Sequence, residues 1–458
     1  NELRKVVPAR YPIRQYPDIT HSLDSQYPVA NWDFAYAATE NRETINPRPV
    51  AESYIFHADS LTSKCGFITY SEGLNDDINK MIWSGLGWNP KASLMDILQD
   101  YSRYFIGPDY TNDFAQGIFD LERNWAGPLL GNTQVYNTLY KFQTMDRNAL
   151  PDVRLNWRFQ QAMYRAYYDA YNRSRLIYET QLEDEAISIL RKASETGSLL
   201  AMQKAAEVLD RAKIKNISDD WRQRIFELAE ALFQSTHMQL SVKKYYAISV
   251  DRGANLDLIN YGLNDRVWLV AQFARIRQLD NEQGRLSEIY KLINWKNPGP
   301  GGFYDDLGDL GNQPHVIQEI SYKDDPASYH SPLAGFTLSA RDWGAIPLQG
   351  MNIRVSWGQN MHTLYGYPLK MHYNDLDKNA QYEVKVTYLS VTPVRLTADG
   401  SYLVHDFYTR SEEITPVTFD VPMDATSDGE LTLMWEGSDK SHNRGCRLAE
   451  VWLMKKQK

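Results

Sequence analysis

The pattern of apolar and polar positions divides the chain into parts with different periodicities. Up to about residue 92, short apolar runs that end in polar residues, "YPIRQYPDITHS" and "KCGFITYSEG", alternate with helical stretches. This order of strands and helices is typical of α/β folds. In α/β barrels the chemistry lies at the carboxyl ends of the strands, and Glu72 falls where the second strand should stop. The pattern therefore predicts α/β elements over residues 1–92.

Helical periodicity dominates residues 93–296. Apolar residues recur at spacings of three and four through "DVRLNWRFQQAMYRAYYDAYNRSRLIYETQLEDEAISILRKA" and the stretches that follow it, which predicts amphipathic helices. Ser93, with Asp96 three residues later, resembles a capping box and predicts a helix start. Gly107 and Pro108 predict the end of that helix. A helical domain is expected over this range.

The periodicity changes at "NWKNPGPGGFYDDLGDLGNQPH", where proline and glycine exclude a continuing helix. We assign residues 297–330 to a Pro/Gly-rich connector, which predicts an irregular loop. Beyond it, segments such as "NIRVSWG", "YEVKVTYLS" and "GELTLMWEG" alternate apolar and polar residues with period two. The expected fold of residues 331–458 is an antiparallel β-sandwich or jelly roll. The whole chain is thus predicted to be multidomain, with α/β, all-α and all-β parts.

Composition excludes several classes of partner. The 458 residues are 43% hydrophobic and carry a formal charge of −9, with no basic block longer than the final "MKKQK", so nucleic acid is not an expected partner. No apolar run approaches the roughly 18 to 20 residues that cross a bilayer, and no transmembrane segment is expected. Phosphate-loop, dinucleotide, serine-hydrolase and zinc-protease motifs are missing from the sequence.

Two stretches resemble parts of known carbohydrate-active enzymes. "YSEGLNDDINKMIWSGLGWNP", followed by "DILQDYSRYFIGPDYTNDFAQGIFDLERNW", resembles the end of the (β/α)8 barrel and the following helical domain in secreted glycoside hydrolases of the α-glucuronidase and hexosaminidase-like kind. "LTADGSYLVHDFY" and "GCRLAEVWLMKK" resemble the galactose-binding-like β-sandwich that closes many such enzymes. The resemblance implies hydrolysis of O-glycosyl bonds in a plant, algal or host polysaccharide or glycan. It also implies a secreted or periplasmic, or outer-membrane-associated, bacterial protein.

The N-terminal part departs from this pattern. A (β/α)8 barrel needs roughly 250 residues, whereas about 90 precede the helical part. We expect these to be the last barrel elements, completed by a second chain or by an N-terminal region outside this sequence; homo-oligomer formation stays open. The alternative function is a non-catalytic glycan-binding or scaffold protein of a polysaccharide-degrading system. A second carboxylate about 5 to 10 Å from Glu72 would distinguish the enzyme from this alternative.

Glu72 is the expected catalytic acid. Glycosidic cleavage usually needs two carboxyl groups, one protonated and one ionised, and Glu72 is the acid that the predicted strand end presents. Capping of the next helix, or ligand binding without proton transfer, is its alternative role. Asp76 and Asp77 sit at a predicted helix start, where a helix N-terminus favours acids, so a structural role is preferred for them.

Two loop-like segments supply further polar and aromatic side chains. "YPDITHS" places an acid and a histidine at a strand end, where they could bind sugar hydroxyls, although hydrogen-bonded structure is the ordinary role of such a pair. "NWDFAYAATENRE" offers a stacking ring beside an acceptor. Its arginine could hold a uronate carboxylate bidentately unless it forms an ordinary salt bridge. The predicted substrate contacts are Asp18, His21, Trp32, Asp33, Glu40 and Arg42.

No cofactor is expected. In the connector, Asp305, Asp306 and Asp309 offer oxygen ligands for a structural Ca²⁺ ion, but the spacing of an EF-hand is missing. A rigid connector whose acids cap neighbouring backbone is preferred over calcium. A third interpretation places this loop against the active-site cleft, with Phe303 and Tyr304 as contacts.

Overall fold

The computed structural model describes residues 2–23, 25–30, 32–58, 64–214, 217–336, 354–438 and 445–457. The chain forms two compact units, each built from three segments. Unit 1 comprises Asn1–Arg173, Ser218–Asn260 and Ile320–Ala327, and unit 2 comprises Ser174–Ile217, Tyr261–Glu319 and Ser328–Lys458. The architecture mixes helices with largely antiparallel sheets, in agreement with the predicted multidomain α/β class.

Helices make up most of the chain before residue 294. They are α1 (Glu2–Val6), α2 (Phe34–Glu40), α3 (Pro49–Ala58), α4 (Asp77–Trp88), α5 (Leu94–Phe105), α6 (Thr111–Asn124), α7 (Gln134–Asn148), α8 (Pro151–Arg154), α9 (Trp157–Leu190), α10 (Ala193–Thr196), α11 (Ser198–Ile214), α12 (Asp219–Thr236), α13 (Val242–Tyr245), α14 (Arg266–Ile276) and α15 (Glu282–Ile293). No helix within the described ranges combines the length and the apolarity that a membrane crossing requires.

The strands fall mostly after residue 300. They are β1 (Ile13–Gln15), β2 (Lys64–Phe67), β3 (Phe303–Asp306), β4 (Leu333–Phe336), β5 (Gln359–His362), β6 (Leu369–Tyr373), β7 (Tyr382–Tyr388), β8 (Val394–Ala398), β9 (Tyr402–Tyr408), β10 (Val417–Asp420), β11 (Leu431–Gly437) and β12 (Arg447–Lys455).

In unit 1, β1 and β2 pair in parallel. The pairing continues past both strands, because the backbone N–H of Tyr70 donates to the carbonyl of Pro17 at 2.7 Å and Asp18 forms a parallel bridge with Tyr70. The α2 and α3 helices lie between the two strands in sequence. The α/β elements predicted for residues 1–92 are therefore present as a parallel pair with helices, and the barrel itself stays a prediction.

The predicted start of α5 is confirmed. The Ser93 side chain accepts a hydrogen bond from the backbone N–H of Asp96, and the helix gives way to Gly107, whose φ of 146° few other residues adopt. The long apolar pattern forms α9. Its Tyr164 and Tyr168 are buried in unit 1, where both hydroxyls donate hydrogen bonds.

The described residues of unit 2 form two sheets. One has strand order β10-β7-β12-β5-β4 with β3 also paired to β12, and the other has the order β6-β11-β8-β9. Burial alternates along β8 and β11 with the predicted period of two, and the same alternation occurs along β6. A single cluster of buried side chains draws on both sheets, with Val384 and Val386 from the first and Leu433 and Trp435 from the second.

Two segments differ from the sequence expectation. The connector contains β3 rather than a wholly irregular loop, because residues 303–306 pair with residues 450–453 of β12. In "NIRVSWG", residues 352 and 353 lie outside the described residues, and Val355–Trp357 forms a 3-10 helix instead of a strand. There the backbone N–H of Val355 donates to the Asp265 carboxylate at 2.6 Å rather than to a neighbouring strand.

Candidate active site

The carboxyl ends of the two parallel strands meet at one edge in unit 1, as parallel pairing requires. Just beyond the Asp18 bridge to Tyr70, the backbone N–H of Glu72 donates to the Thr20 hydroxyl at 3.1 Å. The Thr20 hydroxyl in turn donates to the Asp76 carboxylate. Glu72 therefore lies at the strand edge where the sequence placed it, tied to the segment that follows β1.

A second carboxylate lies close to Glu72. Glu43, in the loop between α2 and α3, has a carboxylate oxygen 3.1 Å from His21 Nε2, and a Glu72 oxygen lies 3.8 Å from the same nitrogen. The ligand atoms of these three residues all lie within 4.8 Å of one another. Retaining glycosidases hold their two carboxyl groups about 5 to 5.5 Å apart, so the separation of this pair is close to that arrangement.

Arginine side chains compensate the charge of the two carboxylates. Arg252 spans the pair, with Nε 3.0 Å from Glu43 Oε1 and a terminal nitrogen 2.7 Å from Glu72 Oε2. Arg42 lies 3.4 Å from Glu43 Oε1. The turn that carries Arg252 approaches the Glu43 segment closely, because the next residue is Gly253, which has φ of +85°. A Cβ atom there would lie 2.7 Å from the Glu43 carbonyl oxygen.

Asp18 and His21 form a hydrogen-bonded pair beside these carboxylates. Asp18 Oδ2 lies 2.7 Å from His21 Nδ1. Burial alone would raise the pKa of Asp18, but its contact with His21 and two backbone amides lower that pKa below its ordinary value. Burial disfavours the imidazolium, yet hydrogen bonds to Asp18 and Glu43 raise the pKa of His21 above its ordinary value. These contacts favour the ionised form of Asp18 and the protonated form of His21.

Tyr70 orients both His21 and Glu72. Its ring stacks on the His21 imidazole with centroids 5.7 Å apart, and its hydroxyl donates to Glu72 Oε1. Because Arg252 bonds the other oxygen of Glu72, both oxygens of this carboxylate have a defined donor. The Glu72 side chain nevertheless remains 17% exposed, so a ligand can reach it.

A cavity of about 270 Å³ lies against this cluster. Its volume is near the lower end of the range for small-molecule sites, about 300 to 1,000 Å³. One wall comes from Glu43, Glu72 and the segment after it, and another comes from the residues that follow α12. The lining residues are Glu43, Ile45, Glu72, Gly73, Leu74, Asn75, residues 236–240, Arg252 and Gly253.

Of the predicted site residues, the structure brings together Asp18, His21, Arg42 and Glu72. Glu43 and Arg252, which complete the cluster, are not among the predicted contacts. Glu43 follows Arg42 directly in a segment already of interest, so a search for a partner acid could have found it. Arg252 lies 180 residues from Glu72, and nothing in its local sequence indicates the contact.

Trp32, Asp33 and Glu40 lie in the interior around α2. Trp32 is 1% exposed and its ring packs 5.3 Å from that of Trp125. Asp33 caps α2, with its carboxylate accepting from Ala35 N. Glu40 is fully buried and pairs with Arg165 at 2.7 Å. Their predicted contact with substrate stays a prediction.

Two carboxylates at helix starts also have protein partners. Asp76 is the N-cap of α4, yet its side chain makes no capping bond. Its carboxylate instead accepts from Ser71 at 3.1 Å and from the Lys80 ammonium at 2.8 Å. Asp77 accepts from the Tyr101 hydroxyl at 2.7 Å. Both acids thus have protein partners of the kind that the preferred structural role implies.

The three calcium candidates of unit 2 also accept hydrogen bonds from the protein. Asp305 accepts from the Tyr373 hydroxyl at 2.9 Å and lies 2.6 Å from His315 Nδ1. Asp306 and Asp309 accept from backbone N–H groups two residues ahead, at 3.1 and 3.0 Å. These contacts are those of the preferred structural interpretation, and calcium stays a prediction.

Comparisons with known proteins add only distant similarity. No family model and no curated protein matches the chain. A solved structure of the YXIM protein of Bacillus subtilis is 20% identical over 22% of this chain and 27% of that one, with a TM-score of 0.17. The structure of BtGH115A, a family GH115 4-O-methyl-α-glucuronidase with specificity for decorated arabinogalactans, is 12% identical. That alignment covers 96% of this chain and 51% of the glucuronidase, with a TM-score of 0.22.

The chain is thus distantly similar to a glycoside hydrolase and spans about half of that protein's length. At these TM-scores and identities the similarity carries no argument about activity.

Proposed function

We propose that this chain carries the carboxyl pair of a glycoside hydrolase, formed by Glu72 and Glu43. The observation that supports the proposal is the approach of their oxygens to within 4.8 Å beside a cavity of about 270 Å³. The glycosidase mechanism requires a second carboxylate beside Glu72, whereas a glycan-binding protein need not have one. We also propose that the whole protein hydrolyses O-glycosyl bonds in a plant, algal or host polysaccharide or glycan.

The surroundings of the two carboxylates favour different roles. Glu43 is 8% exposed and faces three basic side chains, Arg252 at 3.0 Å, His21 at 3.1 Å and Arg42 at 3.4 Å. Basic side chains around Glu43 compensate the negative charge that a carboxylate nucleophile carries. Glu72, at 17% exposure, is more exposed than Glu43, which suits an acid that must meet the leaving group. To carry a proton it must release one of its two donors, the Tyr70 hydroxyl or Arg252.

The separation of the pair supports a two-step reaction with retention. Glu43 attacks the anomeric carbon while Glu72 gives its proton to the glycosidic oxygen, so the leaving alcohol departs and a glycosyl ester forms on Glu43. Glu72, now ionised, takes a proton from water, which attacks the anomeric carbon and releases Glu43. Arg252 must shift for Glu43 to reach the sugar, and its 40% exposure allows that movement. Asp18, His21 and Arg42 are the proposed contacts for sugar hydroxyl or carboxyl groups.

The architectural part of the proposal follows the sequence resemblance. We infer that residues 1–92 belong to a (β/α)8-type barrel and that residues 93–296 form the helical domain. The two sheets of unit 2 are proposed to form a galactose-binding-like β-sandwich. We also propose the location that the resemblance implies, namely a secreted, periplasmic or outer-membrane-associated bacterial protein.

The assignment can be tested by measuring the turnover of aryl glycosides and uronides. The proteins to compare are the native protein and the variants Glu72→Gln and Glu43→Gln. Both variants should lose activity by about 10² to 10⁴-fold, the usual contribution of a general acid or base. The loss in Glu72→Gln should shrink for a good leaving group such as nitrophenolate, which needs no proton, whereas the loss in Glu43→Gln should not. Glu195→Gln, at an exposed position outside unit 1, is the matched control.

Wild-type turnover by Glu72→Gln on a confirmed substrate would overturn the proposal. If the wild-type protein binds oligosaccharides but cleaves none of them, the non-catalytic alternative replaces it.

A further inference from the structure

We propose that His21, Glu43 and Glu72 form a binding site for a divalent transition-metal ion such as Zn²⁺, and that this ion competes with the Arg252 guanidinium. The inference goes beyond glycoside hydrolysis and does not depend on it. Among the described residues, these three form the group of histidine and acidic side chains whose ligand atoms lie close enough to share one ion. One imidazole and two carboxylates suit Zn²⁺ and related ions.

The spacing of the three donors fits a single ion. Ligand atoms bound to Zn²⁺ at about 2.0 to 2.2 Å lie roughly 3.0 to 3.5 Å from one another. His21 Nε2 lies 3.1 Å from Glu43 Oε1 and 3.8 Å from Glu72 Oε1. The ligand atoms of all three residues lie within 4.8 Å of one another, so the 17% exposed Glu72 side chain must rotate toward the other two donors to complete the set.

The other nitrogen of the His21 ring is held as in metal-binding histidines. Those residues usually donate their second ring N–H to a carboxylate or a carbonyl, which fixes the tautomer and the orientation of the ring. Asp18 Oδ2 lies 2.7 Å from His21 Nδ1. Asp18 thus directs Nε2 toward the two glutamates.

The approach of His21 to Glu43 itself requires a cation. When Nδ1 donates to Asp18, a neutral ring presents the lone pair of Nε2 to a carboxylate oxygen, and two acceptors 3.1 Å apart repel each other. A positive centre between them, either a proton or a metal ion, removes the repulsion. The two side chains are 3% and 8% exposed, so water screens this interaction weakly.

Arg252 contacts the same two carboxylates that would bind the ion, so the guanidinium and the ion compete for them. Its Nε contacts Glu43 Oε1, the same oxygen that faces His21, and a terminal nitrogen contacts Glu72 Oε2. The side chain is 40% exposed, and contacts made by such a group are weak enough to exchange. The carboxylates can therefore be neutralised either by Arg252 or by an ion, but not by both in the same geometry.

The two occupants have different consequences. With an ion bound, Glu43 and Glu72 are ligands and cannot attack a sugar or transfer a proton to it. The ion would thus inhibit any chemistry that depends on the two free carboxyl groups. Chelation would restore it.

Calorimetric titration of the chelator-treated native protein with ZnCl₂ tests the site without any substrate, so its outcome is separate from that of the glycosidase assay. We expect saturable one-to-one binding. His21→Ala should weaken it at least tenfold, and Asp18→Asn by about 10 to 100-fold. Arg252→Ala should tighten it about tenfold, because a competing charge close to the ion is removed.

His237→Asn is the matched control, since His237 lines the same cavity but lies outside the cluster, and Asn tolerates its left-handed backbone. It should bind Zn²⁺ like the wild type. Circular dichroism of each variant in EDTA checks that the fold is kept. A second readout is the absorption spectrum of bound Co²⁺, whose bands should be lost in His21→Ala. Absence of saturable binding, equal affinity in His21→Ala, or weaker binding in Arg252→Ala would each overturn the inference.

Discussion

At the scale of single residues, Asp33 shows how one carboxylate joins two distant segments. One oxygen accepts from the backbone N–H of Ala35 in the first turn of α2, and the other accepts from the backbone N–H of Leu129, both at 2.9 Å. The first bond satisfies an amide that the helix leaves without a partner. The second holds the segment after α6 against α2.

Asp33→Ala should therefore lower the free energy of unfolding by about 2 kcal/mol, since it removes a helix cap and a second amide contact. Asp33→Asn keeps an acceptor oxygen and should lose less. Urea unfolding followed by circular dichroism measures both changes. Identical midpoints for all three proteins would show that neither bond contributes.

At the residue scale, the position of Glu72 could be predicted from the sequence, because a strand end is visible in the local pattern. Its catalytic role stays a prediction. Trp32 and Glu40 are predicted to bind substrate because the sequence of a loop-like segment does not show which of its side chains are buried. The structure places both residues in the interior. Arg252 could not be predicted, because its contact with Glu72 depends on the tertiary fold alone.

At the scale of elements, the turn between α13 and the 3-10 helix Asn255–Leu258 positions Arg252. Gly253 allows this turn to touch the loop between α2 and α3. Its φ of +85° suits glycine, and a side chain would meet the Glu43 carbonyl oxygen at 2.7 Å. The geometry of Arg252 and Glu43 therefore depends on the absence of a Cβ atom at one position.

Gly253→Ala should separate the turn from the Glu43 loop and lower both stability, by about 1 to 3 kcal/mol, and turnover. Gly197→Ala is a matched control, because Gly197 has a similar φ of +89° but nothing within 4 Å of its added Cβ atom. It carries the backbone strain without the collision. If the two variants keep the same turnover, the close approach at Gly253 does not position the site.

Helix starts and strands can be predicted from the sequence when they depend on neighbouring residues, but not when they depend on distant pairing. The Ser93 cap and the alternation along β6, β8 and β11 depend on neighbouring residues, so the sequence contains them. The strand β3 was missed because a glycine- and proline-rich stretch has no such alternation. It becomes a strand through pairing with residues 450–453.

At the scale of the whole molecule, buried carboxyl groups couple stability to pH. Burial raises the pKa of Glu40 and of Glu52 to about 7, despite the nearby guanidinium groups of Arg165 and Arg48. Between a pKa of 4.5 when unfolded and about 7 when folded, the folded chain binds more protons. Stability therefore falls as pH rises through this window.

We expect the thermal midpoint to decrease between pH 4.5 and pH 7. Glu52→Gln keeps an acceptor for the indole N–H of Trp83, which lies 2.7 Å from Glu52. This variant should reduce the change in the free energy of unfolding across the pH window by up to a few kcal/mol, and its thermal midpoint should depend less on pH. Scanning calorimetry of both proteins across this range measures the difference. An unchanged slope would show that Glu52 keeps the same pKa in the folded and unfolded chain.

The central position of β12 has a consequence for synthesis of the protein on the ribosome. This strand pairs with β7 on one side and with β3 and β5 on the other, and all three precede it in sequence. While translation proceeds, their edges have no partner and can pair with other chains. The sheet can close only after residues 447–455 emerge, and contacts that span 150 residues, such as Leu453 with Phe303, form slowly. Chaperone binding during this interval would protect the nascent strands.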